Sequence, residues 1–109
     1  MRYWFLIVPK LPANGMALFP FILLKGASQK KDLTLINHEK IHLQQQLELL
    51  VFPFYVFYLL NYLINLVKYR NHYQAYYNIC FEKECYRFEK DLNYLSDRKL
   101  YSWIKFFVK

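Results

Sequence analysis

Cysteine is scarce in this chain of 109 residues, which has only Cys80 and Cys85. They stand five apart in a segment that reads as helix, where their side chains diverge, and this argues against a disulfide between them. A cytosolic or cytosol-facing surface is the expected compartment. Acidic residues are also few, 8 against 15 Lys and Arg, giving a formal net charge of +7. Those bases are scattered from Arg2 to Lys109 rather than gathered into one arm, so nucleic acid is not an expected partner. A signal peptide is not expected, because Pro9 and Lys10 end the apolar run Tyr3 to Val8 too early. The chain holds no internal repeat and no low-complexity tract. Its length allows one modest core, hence a single domain over 1–109.

Apolar and aromatic residues are abundant. They make up 56% and 21% of the chain, with eleven Tyr and ten Phe, more than a small soluble domain needs for its core. Part of that surface is expected to meet lipid or a partner. Basic charge beside aromatic-rich segments suits an anionic membrane surface, where cations meet headgroups and Tyr and Trp settle at the interface.

Along the chain, Pro9, Pro12 and Pro20, the Asn14-Gly15 turn signal and the run "MALFPFILL" from Met16 predict extended chain. A short strand pair or a lone edge strand fits, since Pro20 cannot sit in a central strand. Lys25 to Asp32 reads as a connector, with Asp32 or a nearby Ser or Thr as helix cap. From Leu33 to Phe52 the chain reads as helix, with an apolar stripe of Leu43, Leu47, Leu50 and Phe54 at spacings of four, three and four. Pro53 kinks or ends it, and Phe54 to Val67 is almost uniformly apolar. Residues 47–67 reach the length of a bilayer crossing, about 20 residues, but Glu48, Pro53, Asn61 and Asn65 interrupt them. Spanning, interfacial and buried placements stay open. After the basic, aromatic stretch "KYRNHYQAYYN", a helix is predicted over Ile79 to Leu95, with Phe81, Cys85, Phe88, Leu92 and Leu95 on its core face. "RKLYSWIKFFVK" closes the chain as a short amphipathic segment. The expected class is mainly α with a minimal strand region.

The stretch that carries chemistry is His38-Glu39-Lys40-Ile41-His42. On a helix, residues four apart share a face, so both imidazoles can bind one metal ion while Glu39 projects beside them. In that arrangement two His hold zinc, and the Glu takes a proton from the water that the ion activates. A catalytic zinc site needs a third protein ligand and an open position. Glu82, Glu84 and Glu89, on the next clear helix, are candidates.

"HEKIH" followed by "FEKECY" resembles the gluzincin metallopeptidases, particularly their membrane-linked groups: the CAAX-prenyl-protease type, the related heat-shock membrane proteases and antibiotic-sensing receptor peptidases. The resemblance covers Ile36 to Asp91 and implies a minimal zincin-like α+β domain that hydrolyses peptide bonds. It also implies zinc held by His38, His42 and Glu82, with Glu39 as catalytic base. Those families carry a small residue three positions after the ligand, usually followed by Asp; Cys85 matches the first and Tyr86 departs from the second. A partner for the ligand histidine then has to come from Asp91, Asn78 or a backbone carbonyl. Helical phase points elsewhere, placing Glu84 about 60° and Glu82 about 100° from the apolar stripe, so Glu84 is the alternate ligand.

Other readings remain. His38, His42, Cys80 and Cys85 can form a closed structural zinc site. His72, Tyr73, Tyr76 or Tyr77 can supply an oxyanion donor or simply pack. Gln44, Gln45 and Gln46 read as helix surface, the latter two near the site mouth. The Met16 to Leu24 edge suits an extended peptide substrate, since it carries unpaired backbone groups. A zinc-stabilised interaction or sensor module, and a metal-free, membrane-associated helical protein, are the alternatives to a peptidase on the cytoplasmic side of a membrane.

Overall fold

The computed structural model describes residues 3–107. Strands β1 (Trp4–Ile7), β2 (Gly15–Leu18) and β3 (Phe21–Leu24) come first. They form one sheet in the order β1-β3-β2, with β3 parallel to β1 and antiparallel to β2. The expected strand pair is thus a three-stranded sheet. Phe19 and Pro20 make the turn between β2 and β3, so Pro20 interrupts no ladder and the segment behind it is free to be the central strand.

A 3₁₀ turn, Ala27–Lys31, leads to α1 (Leu33–Glu48), and α2 (Phe52–Tyr69), α3 (His72–Tyr77), α4 (Cys80–Phe88), α5 (Tyr94–Asp97) and α6 (Ile104–Phe107) follow. The chain is mainly α, as its periodicity indicates. Asp32 caps α1 by accepting from the Leu35 N–H, which satisfies one of the orphan donors of the first turn. α1 stops short of Phe52 because Leu50 and Val51 both take positive φ, 59° and 65°. Pro53 then falls in the first turn of α2, where its missing N–H costs nothing. The proline therefore starts a helix instead of kinking one, and the two helices meet at 111°. The predicted stripe breaks with it. Leu43 and Phe54 are buried, but Leu47 is partly exposed and Leu50 is 81% exposed.

The predicted helix over Ile79 to Leu95 is likewise two pieces. α4 ends at Phe88, where the Asn37 Nδ2 donates to the carbonyls of Phe88, Glu89 and Asp91 at 3.3, 2.9 and 2.9 Å. Of these, Phe88 and Glu89 carry carbonyls of the helix end, and Asp91 lies in the turn that follows. Phe81 and Cys85 are buried and Phe88 is half-buried, whereas Leu92 lies in the following turn and is exposed.

Two apolar clusters result. Ala17, Ile22, Leu24, Ile36 and Leu43 join the sheet to α1, and Phe54, Ile79, Cys80 and Phe81 join α2 to α4 under Trp103 and Phe106. α2 meets this second cluster with its polar side. Asn61 Oδ1 accepts from the Cys80 N–H at 2.9 Å, and Asn65 Nδ2 donates to the Ala75 carbonyl at 3.1 Å. Asn65→Leu leaves that buried carbonyl unpaired and is expected to cost about 1–3 kcal/mol. Chemical denaturation checks this, and an unchanged midpoint would refute the role of the amide.

Candidate metal centre

α1 runs between the two clusters, so its middle is enclosed on nearly every side. His38, Glu39 and His42 keep only 5–6% of their surface, and Gln45 and Gln46 essentially none. The two glutamines are thus not helix surface. Polar groups buried this deeply need partners, and each partner here has a function that can be read from its chemistry.

The histidines find theirs on α4. Glu82 Oε1 stands 3.2 Å from His38 Nε2 and 3.1 Å from His42 Nε2. Two donors of a tetrahedral zinc ion stand about 3.3 Å apart at ordinary bond lengths, so the Glu82 oxygen stands from each of the two imidazole nitrogens at the separation of two donors on one ion. Cys85 lies behind them. Its Sγ is within 4.8 Å of a nitrogen on each histidine, and His38, His42 and Cys85 form a buried cluster able to hold a metal ion. Cys80 is not part of it. The donor set, two imidazoles with a carboxylate and a thiol in reach, suits a borderline-soft divalent cation.

Charge in this cluster is strongly coupled. Burial raises the Glu82 carboxyl, but His42 and His38 outweigh it and hold the group well below its usual value. Burial lowers His42, while Cys85 and Glu82 push it well above 6.5. The Cys85 thiol is itself driven up to about 12 by burial, so the Glu82 carboxylate is the anion that acts on His42 at neutral pH. Tyr58 donates to the other oxygen, Glu82 Oε2, at 2.6 Å.

The outward nitrogens fix the tautomers. His38 Nδ1 is 2.8 Å from Glu89 Oε1, so each ring nitrogen of His38 faces a carboxylate, Glu89 outside and Glu82 inside; a cation held at Nε2 would take the place of a proton there, while Glu89 keeps the one on Nδ1. Glu89 thus fills the place expected of Asp91, Asn78 or a carbonyl. Tyr86 packs edge-on against the His38 ring at 4.6 Å. For His42 the partner is Gln45 Oε1, at 2.8 Å from Nδ1. The Gln45 amide cannot turn round, because its Nε2 faces two acceptors, Glu84 Oε1 at 2.8 Å and the Phe81 carbonyl at 3.1 Å. Arg98 ion-pairs with Glu84 and with Glu48 at the end of α1, and Tyr94 also donates to Glu84. Glu84, the alternate ligand by helical phase, therefore points at Arg98 and reaches His42 only through Gln45.

Glu39 has no hydrogen-bond partner among the described residues. It lines two adjoining cavities of about 300 Å³ each, which share Ala13, Gly15, His38, Glu39 and Tyr76. Burial raises its carboxyl pKa against the pull of His42 and His38. β2 forms the far wall. A Cβ on Gly15 would lie 3.1 Å from Leu35 Cδ1, which would have to give way by a few tenths of an ångström, and 3.4 Å from Glu39 Oε2, an ordinary contact. β2 is an edge, and Asn14 O accepts from the Lys25 N–H. Antiparallel alternation then turns the backbone groups of Gly15 and Ala17 away from β3. Gln46 occupies the end of that edge, donating to Ala17 O and accepting from the Phe19 N–H, both at 2.8 Å.

Of the four residues considered as oxyanion donors, Tyr76 alone lines the cavities; His72 pairs with Tyr62 on the outside, and Tyr73 is exposed. Burial and the nearby Glu82 push the Tyr76 hydroxyl pKa up, so it stays a donor. Sequence reasoning missed the parts played by Tyr58, Gln45, Glu89 and Arg98.

Two measurements follow from these charges. A lowered Glu82 stabilises the fold above 4.5 and loses that contribution as pH falls; a raised His42 stabilises it below 6.5 and loses that as pH rises. Metal-stripped protein should melt highest between those values, and zinc should raise the melting temperature by more as pH rises above 6.5, because progressively less proton has to leave His42. A stripped protein with equal stability on both sides of 6.5 would contradict this coupling. Gln45→Ala should weaken zinc binding by about 10- to 100-fold while Gln44→Ala does not, as read by competition with a chromogenic chelator.

No family model, no curated protein and no solved structure matches this chain, which leaves the donor geometry as the ground for its function.

Proposed function

We propose that this domain is a zinc-dependent peptidase of gluzincin type, with His38, His42 and Glu82 as ligands and Glu39 as general base. The observation that carries the reading is the Glu82 oxygen placed 3.2 and 3.1 Å from the two Nε2 atoms, beside an unpartnered Glu39 that opens on the cavity. Glu82 is preferred to Cys85 as third ligand. It is the closer and more acidic group, and it lines the cavity whereas Cys85 does not. A bound zinc ion supplies Lewis-acid polarisation and makes water acidic near neutral pH.

The chain's own residues do the rest. Glu39 takes the proton of the attacking water and carries it to the leaving amine. Its raised pKa makes it the better base for the first of these transfers. Tyr76 offers its hydroxyl to the oxyanion that develops on the substrate carbonyl. Tyr58 keeps Glu82 from turning away from the histidines. The outward backbone groups of Gly15 and the Ala17 N–H hold an extended peptide as an added strand, the Ala17 carbonyl being taken by Gln46. Its two sides meet different surroundings. One cavity is walled by Ala17, Leu18, Phe54 and Tyr55, the other by Asn14, Asp32, Thr34 and Glu89. Substrates with an apolar residue on one side of the cleaved bond and a polar or basic one on the other fit this division.

Cys85 favours a second reading, a closed site in which it joins His38, His42 and Glu82 and the domain is a zinc-stabilised interaction module. The two readings separate by substitution. For the peptidase, the wild-type chain binds about one zinc, and Glu39→Gln keeps that zinc while cleavage of extended peptides falls about a hundredfold or more. Cys85→Ser keeps zinc and activity, and Glu82→Ala loses both. Retention of zinc in Glu82→Ala with its loss in Cys85→Ser would establish the module instead.

A further inference from the structure

α2 is an amphipathic helix turned inside out. Its polar side chains face the protein: Tyr58 reaches Glu82, Asn61 and Asn65 hold backbone groups of α4 and α3, and Tyr62 meets His72. Its outer side is oil. Phe52, Val56, Leu60, Leu63, Ile64 and Val67 are 45–78% exposed, and at 100° per residue they fall within an arc of about 120°. No Asp, Glu, Lys or Arg stands between Leu49 and Val67. The strip is about 27 Å long for eighteen residues, larger than the scattered apolar exposure of an ordinary surface.

We infer that this face lies in the interfacial plane of an anionic lipid bilayer. Charge selects this occupant over a second copy of the chain. At a formal +7 two copies repel as they approach, whereas an anionic leaflet attracts. The strip ends in Lys68 and Arg70, placed to meet headgroups, with the exposed rings of Tyr69 and Tyr73 at the level aromatic side chains favour. Among the described residues no single helix is long and apolar enough to cross a membrane, and α1 and α2, which reach that length and composition only together, are bent by 111°; a face apolar on one side only suits a helix lying flat. The inner side of α2 gives Phe54, Tyr55 and Tyr58 to the cavity wall. The cavity therefore stands about one helix diameter, ~10 Å, from the lipid. Resting on the peptidase reading, this makes the substrates extended segments that lie close to a bilayer surface.

The test is co-sedimentation of the zinc-loaded full chain with vesicles of phosphatidylcholine, with and without phosphatidylglycerol. Binding should require the anionic lipid and weaken as salt is added. L60E/I64E, which changes only exposed positions, should bind at least about tenfold more weakly. Leu33→Glu, at the far end of α1, should bind as the wild type does. Failure to pellet with anionic vesicles, or equal pelleting of L60E/I64E, overturns the inference. So does a concentration-dependent dimer that L60E/I64E dissociates in a chain that ignores vesicles, since the occupant is then a second copy. Vesicle binding is read without any cleavage assay, so an inactive chain that still pellets refutes the peptidase reading alone.

Discussion

A carboxylate held between two imidazoles, with all three groups nearly out of water, is the constraint around which the molecule is arranged. Taking such groups from solvent costs several kcal/mol per charge, and attraction offsets this only when every remaining lone pair and proton is also met. Glu82 by itself cannot do that. Its second oxygen needs Tyr58, and each histidine needs a partner on its outward nitrogen. The sheet, α2 and α4 are thus packed round α1 less to bury oil than to complete this set. A proton or a divalent cation can satisfy the same three atoms, so any metal bound there would be coupled to pH and to folding.

The partners form a hierarchy that ends at Arg98. Its guanidinium neutralises Glu84 and Glu48, and a Glu84 so held can only accept. The Gln45 amide is oriented by that, and the His42 tautomer by the amide. A residue between α5 and α6 therefore decides which nitrogen of His42 faces the site. His38 has a shorter chain of command through Glu89, and Asn37, its own neighbour on α1, gathers the carbonyls from which Glu89 projects. Both routes return to α1, so the helix that carries the ligands also fixes their support.

What the sequence made legible was the part set by local geometry. Two histidines four apart share a helix face whatever surrounds them, and the match of Glu82 to a motif rests on a few adjacent residues. Periodicity failed where polar side chains are buried. It assigned Gln45 and Gln46 to the surface because amides usually lie there, yet one holds His42 and the other stands in for a strand. It drew Glu84 toward the centre correctly, since that residue has no exposure. The reason, an arginine fourteen residues away, is invisible to a helical wheel. Element ends failed for a related cause. α4 stops where Asn37 takes its last carbonyls, and a side chain from another helix leaves no mark in the local sequence.

The apolar stretch after Pro53 was ambiguous for a physical reason. Composition counts apolar residues without telling inside from outside, and α2 reverses the usual sense. Three of its polar groups, Tyr58, Asn61 and Asn65, are spent on Glu82, on the start of α4 and on the end of α3, all of which must be fixed for Glu82 to meet the histidines. Once these positions are committed to the interior, the leucines and valines between them have only the outside left. The exposed apolar strip is thus the geometric complement of the candidate site around Glu82. A substitution that made it polar would leave the centre's hydrogen bonds untouched, and one that made the inner face apolar would remove them. The two faces of one helix are thus separable, one holding Glu82 and the other apolar and exposed.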